Sequence, residues 1–233
     1  METTEVRLRA LLRRAQAADR QGLAGRERFQ AYFDALFDAA ARCERQEALP
    51  KAYNDGMRAL GAFYDAQAPR AAGAVDLAAL LSDVGLCCDL LLGEGRVQLS
   101  PARPLFVRAN GRALLWAVLR AAAGALQSGL PLTLRAFGAG AYGAASLVSP
   151  AFDGAFGGAA EAVAARAVQK PGGRLLREAG RNGSGLHLVL PRCVPQENAF
   201  PGALGFADWL SDRISPVYAA FCGLYVPPDF RKI

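Results

Sequence analysis

The sequence predicts an α+β protein, an N-terminal helical hairpin followed by an α/β sandwich, and three observations carry the prediction. Residues 1–70 place apolar side chains at helical spacing. Beyond residue 75, helical stripes alternate with pairs of short strand-like segments. Tight turns join consecutive strands, so the sheet should be antiparallel or mixed with its helices on one face. The expected division is a dimerisation-like hairpin over 1–70, the sandwich over 71–192 and a C-terminal extension over 193–233.

Each element has a local cause. Val6, Leu8, Leu11, Leu12 and Ala15 recur at helical spacing with arginines between them, and Gly22 and Gly25 interrupt. Phe29, Tyr32, Phe33, Leu36, Phe37 and Ala40 then form a second apolar stripe. Leu49-Pro50 closes that helix and opens a third, along which Tyr53, Met57, Leu60 and Tyr64 share a face. A stripe this aromatic needs a cover, either a third helix or a second subunit. We expect Phe29, Tyr32, Phe33, Leu36 and Phe37 to form a homodimer interface closing a four-helix bundle, the competing cover being a folded-back N-terminal helix.

Ala68–Ala74 reads as a linker. Asp76 is placed to cap a helix running through Leu92, and Gly93-Glu94-Gly95 is a turn. Val97–Leu99 and Leu105–Val107 read as short strands with a proline-rich connection. Asn110 caps a helix over Gly111–Gln127. Leu132–Phe137 and Tyr142–Val148 alternate around a glycine-rich turn as a hairpin. A helix spans Ala159–Gln169 and ends at Pro171-Gly172-Gly173. The last strand pair is Arg174–Glu178 and Leu186–Leu190, turning at Asn182-Gly183. In the tail, Trp209, Leu210, Ile214, Val217, Tyr218 and Phe221 lie on one side, interrupted by Pro216; docking on the chain's own domain and a partner surface both fit.

Composition narrows the function classes. The chain has 233 residues, 27 basic against 21 acidic, for a net charge of +6. Only Lys51, Lys170 and Lys232 are lysine and 48 residues are alanine, a bias of GC-rich coding rather than a nucleic-acid signature. The arginines of residues 7–28 are interleaved with Asp19 and Glu27 as a solvated face, without the clustered charge and aromatics of a nucleic-acid surface. Charges interrupt the apolar stretches 77–92 and 113–126, so neither reaches the roughly 20 residues of a membrane span. Cys43, Cys87, Cys88, Cys193 and Cys222 form no CxxC pair and His187 is the only histidine, which argues against zinc and for buried thiols in a reducing compartment. The expectation is a bacterial cytoplasmic protein with no membrane or nucleic-acid partner, no metal and no cofactor.

Four segments, in order, resemble a known family. Val75–Leu81 is similar to the segment opening the ATPase domain of sensor histidine kinases. Val107-Arg108-Ala109-Asn110, followed by Leu114 and Val118-Leu119, resembles the approach to their N box. Gly158 through Gly173 has the spacing of their G-L-G-L to H-G-G segment, and Gly183–Pro191 resembles their closing strand. The resemblance, over residues 24–192, implies the Bergerat-type ATP-binding sandwich, with the upstream hairpin where these kinases keep their dimerisation and phosphoacceptor helices.

The same resemblance exposes losses. On the N-L-x-x-N-A pattern the sequence reads Arg120-Ala121-Ala122-Ala123-Gly124-Ala125, so the asparagine that would hold Mg²⁺ is Gly124. Mg²⁺ demands oxygen ligands in near-octahedral array, and glycine offers no side chain. The adenine-binding aspartate falls on Ser149 or close to it, within Ser149-Pro150-Ala151-Phe152-Asp153-Gly154. The lid shrinks to a few residues between Asp153 and Gly158, and Glu161 stands in the glycine box, where it would repel a triphosphate. No histidine precedes His187, so the hairpin has no phosphoacceptor. Gly154, Gly157-Gly158 and Gly172-Gly173 are either phosphate-cradling loops or turn glycines. His187 and the Cys87-Cys88 pair read as structural. The resulting expectation is a catalytically inactive histidine-kinase-like module that binds a response regulator or a genuine kinase. The alternatives are a degenerate phosphotransferase or a small-molecule sensor using the vacated cleft.

Overall fold

The computed structural model describes residues 4–19, 25–42, 48–67, 71–153, 158–180, 183–202 and 205–227. The chain forms two units. One combines residues 1–66 with 212–233, and the other is residues 67–211. The tail after residue 192, expected as one extension, is therefore divided between them.

The first unit is helical: α1 (Thr4–Asp19), α2 (Gly25–Arg42), α3 (Leu49–Ala66) and the short α8 (Pro216–Ala220). Helix α1 packs against α2 and α3, and α8 packs on α3. The stripe of α2 is filled from within this unit. Phe29 meets Phe63 with ring centroids 5.7 Å apart, and Phe33 meets Tyr53 edge-on at 6.0 Å. The Tyr32 hydroxyl donates to the Ala52 carbonyl at 2.6 Å. Gly56 lets α3 approach so closely that a Cβ there would collide with the Tyr32 ring. Ile214, Val217 and Phe221 are buried, Ser215 caps α8, and Pro216 begins that helix rather than breaking one.

These contacts correct the expected dimer interface. Phe29, Tyr32, Phe33 and Leu36 are at most 1% exposed in a single chain, and half-buried Phe37 has the Arg213 guanidinium 4.3 Å from its ring centroid. Helices α1 and α3 pack on α2, as the competing expectation of a folded-back N-terminal helix has it, and the chain's own C-terminal residues reach Phe37. A second copy has no bare apolar surface there to close on.

The second unit is the expected α+β sandwich. Its elements are β1 (Gly73–Asp76), α4 (Leu77–Leu92), β2 (Val97–Leu99), β3 (Phe106–Ala109), α5 (Gly111–Gln127), β4 (Leu132–Ala139) and β5 (Tyr142–Ser149). A 3₁₀ turn (Pro150–Asp153), α6 (Ala159–Gln169), β6 (Arg174–Gly180), β7 (Gly183–Pro191) and α7 (Gly205–Ser211) follow. The main sheet has strand order β2-β4-β5-β7-β6 and is antiparallel except for the parallel pair β2–β4. Helices α4, α5 and α6 pack on it. Leu132 and Leu134 on β4 and Leu186, Leu188 and Leu190 on β7 are buried at alternate positions, while β5 is buried on both faces from Gly143 through Leu147.

Two pairings depart from expectation. β3 does not pair with β2; it pairs antiparallel with β1, in a two-stranded sheet that the sequence reading folded into the α4 cap. The Asp76 carboxylate explains the coupling, accepting from the N–H groups of Ala78 and Ala79 at the start of α4 and from Leu105 at the entry to β3. Residues 192–202 then run back along this small sheet: Cys193 N–H donates to Phe106 O, and Phe200 exchanges backbone hydrogen bonds with Ala74 and Asp76. Helix α7 packs on α4.

Candidate functional site

The site expected from sequence is carried by α5, the 3₁₀ turn and α6, and α5 packs against both of the others. Asn110 caps α5 as expected, its Oδ1 accepting from Ala113 N–H at 2.9 Å. Trp116, Arg120 and Gly124 follow one another a helical turn apart on α5. Trp116 is buried, half-buried Arg120 places its guanidinium 5.7 Å from the Trp116 ring centroid, and Gly124 is exposed. At Gly124, expected from the sequence to be the metal-holding position, α5 presents bare backbone.

Ser149 ends β5, only 1% exposed, and its Oγ accepts the Ala151 N–H at 3.2 Å. That hydroxyl caps the 3₁₀ turn, a local structural task of the kind serine performs well. Backbone Asp153 closes the turn. The expected lid glycines Gly154 and Gly157 lie outside the described residues, as do Cys43 and Asn182. Gly158 precedes α6 with φ of +74°, a conformation that favours glycine, and offers no side-chain cap. Glu161 follows in the first turn of α6, with its carboxylate 3.9 Å from the Arg177 guanidinium on β6. At the other end of α6, Gly172 adopts φ of +86° and a Cβ on Gly173 would strike the Val189 carbonyl, so this pair makes the turn into β6.

These residues do not fit Mg²⁺-bound nucleotide. Gly124 supplies no oxygen ligand, Ser149 is neutral and committed to the backbone, and Glu161 adds negative charge where phosphates would need positive potential. Among the described residues no three His, Cys, Asp or Glu side chains gather as a metal site.

No protein-family profile matches the chain, and no curated protein does. Solved structures similar to it are histidine-kinase ATP-binding and catalytic domains. The ATP-binding domain of PrrB from Mycobacterium tuberculosis is 22% identical and overlaps 54% of this chain and 100% of its own, with a TM-score of 0.46. The histidine kinase domain of a blue-light-activated kinase from Erythrobacter litoralis is 15% identical over 79% of this chain and 94% of its own, at 0.42. The Acinetobacter baumannii histidine kinase AdeS is 10% identical over 84% of this chain and 100% of its own, at 0.41.

The remaining titratable side chains sit as structural groups. His187 lies on the sheet face opposite buried Leu186 and Leu188, edge-on to Phe137. Its Nε2 is 3.2 Å from Glu178 Oε2 without hydrogen-bond geometry. Cys87 and Cys88 are fully buried in α4, and burial pushes the Cys87 thiol up to about 12 and Cys88 higher still. Both stay protonated and unreactive. Asp83, one turn before Cys87, accepts the Phe206 backbone N–H at the start of α7, while burial raises its carboxyl to about 6. Sequence reading passed over Asp83 because its only signal is an interrupted apolar stretch. No helix among the described residues is long and apolar enough to cross a membrane.

Proposed function

We propose that this chain is a histidine-kinase-like signalling protein that works by binding and not by phosphoryl transfer, with a response regulator or an active sensor kinase as its partner class. One observation carries the reading: Gly124, which the sequence resemblance sets at the position of the Mg²⁺-holding asparagine, has no side chain to offer. Two further features support it. Ser149 and Glu161 are tied to a backbone N–H and to Arg177 in place of nucleotide-facing roles. The chain's single histidine lies in β7, so α1, α2 and α3 have none to accept phosphate.

Calorimetric titration with ATP, with and without Mg²⁺, tests the reading. Binding weaker than about 1 mM, less than about 4 kcal/mol, is expected in both cases. A micromolar dissociation constant that EDTA abolishes would show a working metal site and sink the proposal.

A further inference from the structure

Strand β6 is the outer strand of the main sheet, and among the described residues it pairs only with β7. It runs seven residues, Arg174–Gly180, without proline or lysine. Long open edges are templates for pairing with another strand, and soluble proteins ordinarily blunt them. This one carries charges of both signs, Arg174, Arg177 and Glu178, but no proline, and it leaves Leu176 49% exposed and the Glu178 side chain 75% exposed. Arg174, Leu176 and Glu178 lie at alternate positions, so they share one face of the sheet, with Leu176 directly opposite His187 in register.

Read as an antiparallel partner for itself, β6 is self-complementary in one register. Centred on Leu176, the pairing sets Leu176 against Leu176 of a second copy. It also sets Arg174 against the second copy's Glu178, twice by symmetry. Between these, Leu175 stands opposite the second copy's Arg177 on the other face. Shifting the centre to Leu175 puts Arg174 opposite Leu176 and loses both ion pairs. Shifting it to Arg177 puts that arginine opposite its own copy. Opposite charges facing across an antiparallel pair stabilise it, and like charges oppose it.

We propose that β6 is the homodimer interface of this protein, joining two copies edge to edge about a two-fold axis at Leu176 into a continuous ten-stranded sheet. The occupant is a second copy because the charge pattern of the edge matches itself in one register. This surface is separate from the α2 stripe, whose aromatic residues are already enclosed. It is also independent of whether nucleotide binds.

Sedimentation equilibrium of the whole chain tests it. The wild-type protein is expected to dimerise below about 100 µM. Arg174→Glu and Glu178→Arg each turn two attractive pairs repulsive and weaken association at least about tenfold, while the doubly reversed protein regains it. Leu176→Lys, the usual edge-blunting substitution, also gives monomer. All three positions changed are exposed, and far-ultraviolet circular dichroism checks that each variant keeps its sheet. A monomeric wild type, a dimer indifferent to the single reversals, or a double reversal as weak as either single one overturns the proposal.

Discussion

The hydroxyl of Tyr53 on α3 lies 2.6 Å from that of Tyr225, 172 residues later. The two rings meet edge-on at 6.4 Å, and Tyr225 also packs edge-on against Tyr218. The helical unit is therefore completed by the end of the described chain. Desolvation raises the Tyr53 phenol to about 12, and raises Tyr32 and Tyr225 further in the same direction. In the folded unit these phenols hold their protons at a pH where the unfolded chain has begun to release them. Their contribution is fully present below about 10 and is lost as pH rises through about 12. Circular dichroism across that window should show the helical unit unfolding, and Tyr225→Phe should lower its stability by about 1 kcal/mol at neutral pH.

Tyr32 and Phe33 of α2 pack against Gly56 of α3. Phe33 is 0% exposed, and a Cβ on Gly56 would meet both the Tyr32 and Phe33 rings. Phe33→Ala should cost about 3–5 kcal/mol. Phe33→Glu, which buries a charge, should abolish the helical fold. Chemical denaturation followed by far-ultraviolet circular dichroism separates this from an interface role. If Phe33→Glu left a folded monomer, the stripe would be a surface after all.

Asp83 gives the sandwich an acid-side pH dependence. Its carboxyl is raised to about 6 from the ordinary 3.8, chiefly by burial and despite the Phe206 N–H it accepts. The folded form therefore binds the proton more tightly than the unfolded chain, so stability is greatest below about 4 and declines as pH rises through about 6. Asp83→Asn should flatten that decline and raise the melting temperature at pH 7, since the amide oxygen can still accept from Phe206. A wild-type melting temperature that climbs between pH 4 and 6 through this residue would refute the assignment.

What the sequence made legible was what short-range chemistry decides. Asn110 and Asp76 announce helix starts because a cap acts within three residues. The α2 stripe announces burial because its period is local. The parallel pairing of β2 with β4 could not be read in this way. It spans β3 and α5, and nothing in Val97–Leu99 distinguishes a neighbour in sequence from one reached by a crossover. The cover of the α2 stripe was legible only as alternatives, a further helix or a second subunit, because periodicity does not say which element packs on a stripe, and Arg213 lies far along the chain. At the candidate site the missing amide at Gly124 was plain from residue type, whereas Ser149 needed coordinates to reveal its hydroxyl turned onto Ala151 N–H.

Gly124 also sets what a single repair can achieve. Gly124→Asn would place an amide oxygen on the exposed side of α5, and asparagine is a better helix residue than glycine, so stability should hold or rise by a few tenths of a kcal/mol. Mg²⁺ asks for several oxygens in fixed array, most of them from water and phosphate, and the phosphates must first be held. Here Ser149 remains committed to its turn and Glu161 still places negative charge at the start of α6. The substitution alone should therefore leave ATP binding weaker than about 1 mM in the same calorimetric titration. Adding Ser149→Asp and Glu161→Gly would supply a carboxylate where the resemblance sets the adenine-binding aspartate and remove the negative charge at the start of α6. Measurable Mg²⁺-dependent affinity in the triple variant, against none in the single one, is the expected result. Micromolar binding from Gly124→Asn alone would mean that the rest of the nucleotide cleft is intact.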